Sequence, residues 1–177
     1  ELDVNAPDAA SFLSGQAKTI IDQAAIDEAR AIRAVLDAAQ LSGQSARKTA
    51  LDLVGRISKQ TGTRSGGVVG LSGNFAESVT NARTQLSSGD DLQLRQYLTR
   101  TRRDRRFDGT VKAAIKSGKA LKVEDINKIV GRYADRLLVT QAEMIAQTFV
   151  AEAFNEGRDH AWRQVIDRSK GRLTFAK

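Results

Sequence analysis

Apolar residues recur at spacings of three and four along most of this chain, and the pattern is longest over residues 123–166. That stretch holds no proline. Val123, Ile126, Val130, Tyr133, Leu137, Ile145, Phe149, Phe154, Ala161 and Val165 trace one slowly drifting face, the signature of an amphipathic helix or of two helices stacked nearly end to end. A single helix of this length would run roughly 66 Å at 1.5 Å per residue. That exceeds the width of a small domain, so the segment either breaks or projects and packs against a partner. Glycine in a helix costs roughly 1 kcal/mol against alanine, which places the expected breaks near Gly131, near Gly157 or at the polar Thr140–Gln141 pair. The expected arrangement is a long helix to about Glu156 and a shorter one in which Trp162 anchors the last turns to the core.

The same reading extends to the rest of the chain. Residues 6–41 form a helical stripe that opens on Pro7 and Asp8, with a candidate break over 23–27, and Gly43 stops it. Ser45 is placed to cap a second helix whose buried side is Ala50, Leu51, Leu53, Val54 and Ile57. Ser72 caps a third over 73–86, with Phe75, Val79, Ala82 and Leu86 inward. Asp90 caps a fourth, running to about Arg103, and Asp108 begins a short fifth that Gly118 ends. The glycine-rich segment 61–73, TGTRSGGVVGLSG, lacks the lysine of a phosphate-binding loop and reads as a turn or a short β-hairpin near 66–71. The fold class is therefore all-α: several amphipathic helices, one long C-terminal helix and at most one small hairpin. An N-terminal helical segment, 1–43, precedes one compact helical unit, 44–177.

Composition supports this and removes several chemistries. The 177 residues contain one proline and no cysteine, so disulfides, thiol catalysis and cysteine-ligated zinc are excluded. The single histidine, His160, rules out a histidine-rich metal site. No run approaches the ~20 apolar residues of a membrane span, no signal-peptide pattern is present, and no cofactor motif appears. Position 1 is glutamate, which fits a fragment or a processed product.

Charge adds one localised feature. The chain carries a net +7, and residues 95–122 hold ten basic side chains against two acidic ones. The candidate binding residues are Arg100, Arg102, Arg103, Arg105, Arg106, Lys112 and Lys116. Cations in this density bind phosphates without sequence preference, or dock on an acidic protein surface, or form a solvated, partly disordered loop. No helix-turn-helix or zinc-finger pattern accompanies them. His160 and Trp162 point to different faces of a helix, and His160 is expected to face solvent with no carboxylate partner to orient it as a base. Glu124, Asp125, Glu143, Glu152 and Glu156 are the carboxylates to follow. Glu152 and Glu156 share a face and are expected to pair with Arg158 or Arg163 rather than hold a cation.

Three segments, in order, carry a family resemblance: 67–86 (GVVGLSGNFAESVTNARTQL), 105–138 (RRFDGTVKAAIKSGKALKVEDINKIVGRYADRLL) and 142–166 (AEMIAQTFVAEAFNEGRDHAWRQVI). Together they resemble the phage head morphogenesis proteins, the minor head proteins related to that of phage SPP1. Gln147-Thr148-Phe149 stands where that family carries Arg-Thr-Glu, and Phe75 where a polar residue is usual. The first change turns the middle of the last helix into a packing surface, with Phe149, Phe154 and Trp162 as its packing or interface residues. The resemblance implies a non-enzymatic virion component in the capsid interior, present in the host cytoplasm during assembly. It would associate with portal or capsid proteins and contact packaged or ejected DNA. The alternative, from the basic cluster alone, is a sequence-independent DNA-binding helical protein.

Overall fold

The computed structural model describes residues 7–58 and 64–168, with the side chains of 7–14 left out. Among the described residues there are six α-helices and one two-stranded antiparallel sheet: α1 Pro7–Leu41, α2 Ala46–Val54, β1 Gly55–Ile57, β2 Arg64–Gly66, α3 Gly73–Ser87, α4 Asp91–Leu98, α5 Asp108–Ser117 and α6 Val123–Arg168. A single 3-10 turn, Arg105–Phe107, leads into α5.

Capping follows the residue types at Ser45 and Asp90, whereas Ser72 stands at the start of α3 without a side-chain cap hydrogen bond. The Ser45 hydroxyl accepts from the Lys48 amide and the Asp90 carboxylate from the Gln93 amide, each satisfying a donor that a helix start leaves open. Gly118 closes α5 in the left-handed region at φ 62°. Glu124 and Asp125 occupy the first turn of α6, where carboxylates are favoured.

The expected break in the long segment does not occur. α6 is one helix of 46 residues, about 69 Å long. At Thr140–Gln141 both polar groups are used without interrupting the ladder. The Thr140 hydroxyl donates to the Arg136 carbonyl, one turn back, at 2.9 Å. Gln141 clamps the glycine-rich connector, accepting from the Ser72 amide at 2.8 Å and donating to the Gly70 carbonyl at 3.0 Å. Gly131 and Gly157 sit in regular helix. α1 likewise runs unbroken through 23–27.

Two apolar clusters hang on α6. The first joins Ala82 and Leu86 of α3, Leu94 and Tyr97 of α4, Val111 and Ala114 of α5, and Ile126, Ile129, Val130, Tyr133 and Leu137 of α6. The second joins Leu36 of α1, Ala50, Leu53 and Val54 of α2, Val69, and Ala142 and Ala146 of α6. Phe149 lies against the second cluster, with the Arg33 guanidinium 5.8 Å from its ring centroid. Beyond it the stripe leaves the core. Phe154 is 70 % and Trp162 51 % exposed, so Trp162 does not anchor the last turns to either cluster. At the other end of the chain, Ile20, Ile21 and Ile26 of α1 are also exposed.

The hairpin forms earlier than the 66–71 expectation. Gly55 pairs with Gly66, Arg56 with Ser65 and Ile57 with Arg64, which takes Ile57 off the buried face of α2. Val68 and Val69 then donate both amides to the Leu53 carbonyl at 2.8 and 3.1 Å, and Val69 enters the core instead of a strand. This close approach explains two glycines. A Cβ on Gly67 would lie 2.3 Å from the Val54 carbonyl carbon, and one on Gly55 would lie 2.2 Å from the Ser65 oxygen, with Gly55 already at φ 77°. Gly131, by contrast, has open space where a Cβ would sit.

Replacing Gly67 by Ala is therefore expected to destabilise the fold by about 1–3 kcal/mol, the usual cost of overpacking. Gly131→Ala is expected to stabilise it by up to about 1 kcal/mol. Urea denaturation of the two variants checks both signs.

A candidate basic surface around residues 100–116

The seven cations of the sequence-derived cluster divide into two groups. Three, Arg100, Arg103 and Arg106, are taken up by partners within the fold. α4 ends at Leu98 rather than Arg103, because Thr99 and Arg100 turn back to donate to the Gln96 and Tyr97 carbonyls. That turn aims Arg100 inward. Its Nε donates to Gln85 Oε1 at 2.8 Å and its Nη1 to the Tyr133 hydroxyl at 3.2 Å, with the guanidinium 5.5 Å from the Tyr133 ring centroid. Arg103 makes a two-pronged pair with Asp108, both contacts at 2.9 Å, and both side chains are largely buried.

Asp104 is the centre of the arrangement, although the sequence offered it only as a counter-charge. It is 1 % exposed. Its carboxylate accepts from the Arg106 side chain at 2.6 Å and from the Arg106 amide at 3.2 Å, and Arg136 of α6 lies 3.4 Å away. Arg136 also donates to the Arg103 carbonyl at 2.9 Å. The Arg106 guanidinium is the main reason that the Asp104 carboxyl is held down at about 2; burial opposes this, and the Arg106 amide and Arg136 assist. The segment 99–107 is thus an ordered turn bolted to α6, not a solvated loop. The neighbouring Tyr97 phenol is pushed up to about 12, first by burial and then by Asp108. Tyr97 packs edge-on against Tyr133, with centroids 6.4 Å apart.

The second group is free to bind. Arg102, Arg105, Lys112 and Lys116 are exposed, and Lys112 and Lys116 project from the side of α5 opposite Val111 and Ala114. Two further cations were missed: Lys128 and Arg132, exposed and one turn apart on α6. They line an open groove of about 670 Å³ together with Leu71, Phe107, Arg64 and Asp135. Arg64 and Asp135 are paired with each other, and Arg64 also donates to the Gly55 carbonyl at 2.8 Å. The i, i+4 spacing of Lys128 and Arg132 was the available signal, but it lies outside the dense run at 95–122.

The remaining candidates stay apart. His160 is exposed on the outer part of α6. Glu152 and Glu156 form no ion pair with Arg158 or Arg163 among the described residues, contrary to expectation; the ion pairs lie elsewhere. No group of three or more acidic or histidine side chains among the described residues is close enough to hold a metal ion. No helix among them is long and apolar enough to cross a membrane. Compared with known proteins, the chain matches no protein family, no curated protein and no solved structure at a significant level.

Asp104 makes stability depend on acid in a defined direction. Its folded value near 2 lies below the ordinary 3.8, so its contribution is present above about pH 4 and is lost as pH falls towards 2. Arg106 is 71 % exposed, and solvent screening on that side reduces the contribution to on the order of 1–2 kcal/mol. Asp104→Asn is expected to lower stability at pH 7 and to flatten the loss between pH 5 and 2. Chemical denaturation across that range measures it, and a variant as acid-sensitive as the parent would refute the assignment.

Proposed function

We propose that this chain is a non-enzymatic structural component of a tailed-phage virion: a minor head protein that associates with the portal or procapsid from the capsid interior. The observation that carries the reading is the order and spacing of the three segments 67–86, 105–138 and 142–166, which resemble the head morphogenesis proteins. Two features of the fold support an assembly role. The resembling segments supply the connector, α3, the 3-10 turn, α5 and α6, which together build most of the folded body. Both long helices also carry exposed large apolar residues, Ile20, Ile21 and Ile26 on α1 and Phe154 and Trp162 on α6, which suits packing against other proteins.

In particles of the encoding phage, mass spectrometry is expected to find the chain in a few copies, and the portal protein is expected to be retained by the immobilised chain through moderate salt. Absence from both procapsids and virions, with no portal retention, overturns the reading.

A specific observation favours a second role beside the first. Arg102, Arg105, Lys112 and Lys116 are exposed on one continuous stretch, and a polyanion such as packaged DNA is their natural counterpart. If all four engage phosphates, the logarithm of duplex affinity falls against the logarithm of salt with a slope of roughly −3.6, at about −0.9 per contact. Changing these four to Ala should remove duplex binding while leaving helix content intact. The buried Arg103 and the Asp104 partner Arg106 are unsuitable for this test, since losing them damages the fold. An affinity indifferent to salt removes the DNA role.

A further inference from the structure

The groove beside α6 combines unpaired charge with apolar side chains. Its floor is the α6 face between Asn127 and Leu138, about 17 Å long at 1.5 Å per residue. That length matches about five residues of extended chain. Leu71 of the connector and Phe107 of the 3-10 turn also line it, both only partly buried against the first cluster.

The charge is concentrated towards one end. Lys128 and Arg132 are exposed, one turn apart, and their side chains make no ion pair or hydrogen bond among the described residues. A third cation, Arg83 of α3, is held at that end by donating to Asn127 Oδ1 at 2.8 Å, and no carboxylate pairs with it. The nearest carboxylates along the helix, Glu124 and Asp125, stand one turn before Lys128 and pair with none of the three. Towards the other end Arg64 and Asp135 neutralise each other, and Leu138 completes the lining.

Gly131 lies between the two cations on the floor, and nothing stands within 4 Å of the place its Cβ would occupy. A side chain there would enter the groove rather than strike the fold. The glycine, at roughly 1 kcal/mol of helix stability, leaves the α6 backbone open to whatever lies in the groove.

The occupant follows from this combination. Cations without partners call for carboxylates or phosphates, and the apolar lining calls for aliphatic or aromatic side chains. Duplex DNA offers the first without the second. A peptide carrying acidic and apolar residues offers both.

We propose that this groove binds a short acidic segment of a partner protein. Its carboxylates lie on Arg83, Lys128 and Arg132, and its apolar side chains against Leu71, Phe107 and Leu138. Such binding stands whether or not the chain belongs to a virion, and it uses none of the four cations assigned to DNA.

The probe is a fluorescein-labelled peptide of alternating aspartate and leucine, about five residues long, titrated with the full chain and followed by fluorescence anisotropy. Saturable binding with a dissociation constant below about 1 mM is expected. Replacing its leucines by serine, or its aspartates by asparagine, should weaken binding at least about tenfold. Lys128→Ala combined with Arg132→Ala should do the same. So should Gly131→Leu, which fills the floor while keeping or raising stability against urea, and which therefore separates occlusion from unfolding. No saturable binding overturns the proposal, as does binding that survives both sets of protein changes. An aspartate–serine peptide bound as tightly as the aspartate–leucine one, or a duplex that displaces the probe stoichiometrically, overturns it in favour of a general anion site.

Discussion

Residues 126–149 of α6 bury one side against two separate apolar clusters, and that shared wall is the constraint on which the described fold rests. α3, α4 and α5 close on Ile126, Ile129, Val130, Tyr133 and Leu137, while α1 and α2 close on Ala142, Ala146 and Phe149. Continuity of the helix is what fixes the two clusters relative to each other. A kink anywhere between Leu137 and Ala142 would rotate one cluster against its neighbour. The polar pair in that gap is therefore tied to the helix and to the connector, its hydrogen bonds completed rather than left to compete with the ladder.

The basic stretch shows how composition and structure divide one run of charge. Arg100, Arg103 and Arg106 resemble Arg102 and Arg105 in the sequence, yet the first three are taken up by Gln85 and Tyr133, by Asp108 and by Asp104, and the other two have only water around them. The buried Asp104 decides the difference. An almost fully enclosed carboxylate is costly unless paired, so it draws Arg106 and Arg136 around it, and the turn takes its shape from that demand.

Much of this was legible in the order of residues. The helix starts at Ser45, Asp90 and Asp108, the stop at Gly118 and the apolar faces of α3 and α6 follow from local chemistry, and local chemistry is what a sequence displays. The misses share a different cause. Intrinsic propensity marked Gly131, Gly157 and Thr140–Gln141 as weak points, but contacts made along both clusters outweigh about a kilocalorie at Gly131, and Gly157, beyond both clusters, stays helical at the same cost. The hairpin was displaced because Gly55 and Gly67 answer to a backbone approach between α2 and the connector, which no periodicity encodes. Asp104 looked like one of two counter-charges among ten cations because its burial depends on Arg136, thirty-two positions away. Trp162 looked like a core anchor because large aromatics usually are, and only the length of α6 carries it past the core.

The Gly70–Ser72 connector has a mechanical side. The Gly70 amide donates to Glu28 of α1 at 3.2 Å while its carbonyl accepts from Gln141 of α6, so one residue is strung between the two longest helices. From Glu28 back to Pro7, α1 extends about 31 Å as a stiff rod, and Gly70 sits near its pivot. A tilt of about 10° at the pivot would sweep the far end through about 5 Å, so an ångström-scale adjustment at one glycine is magnified severalfold at the tip of the rod.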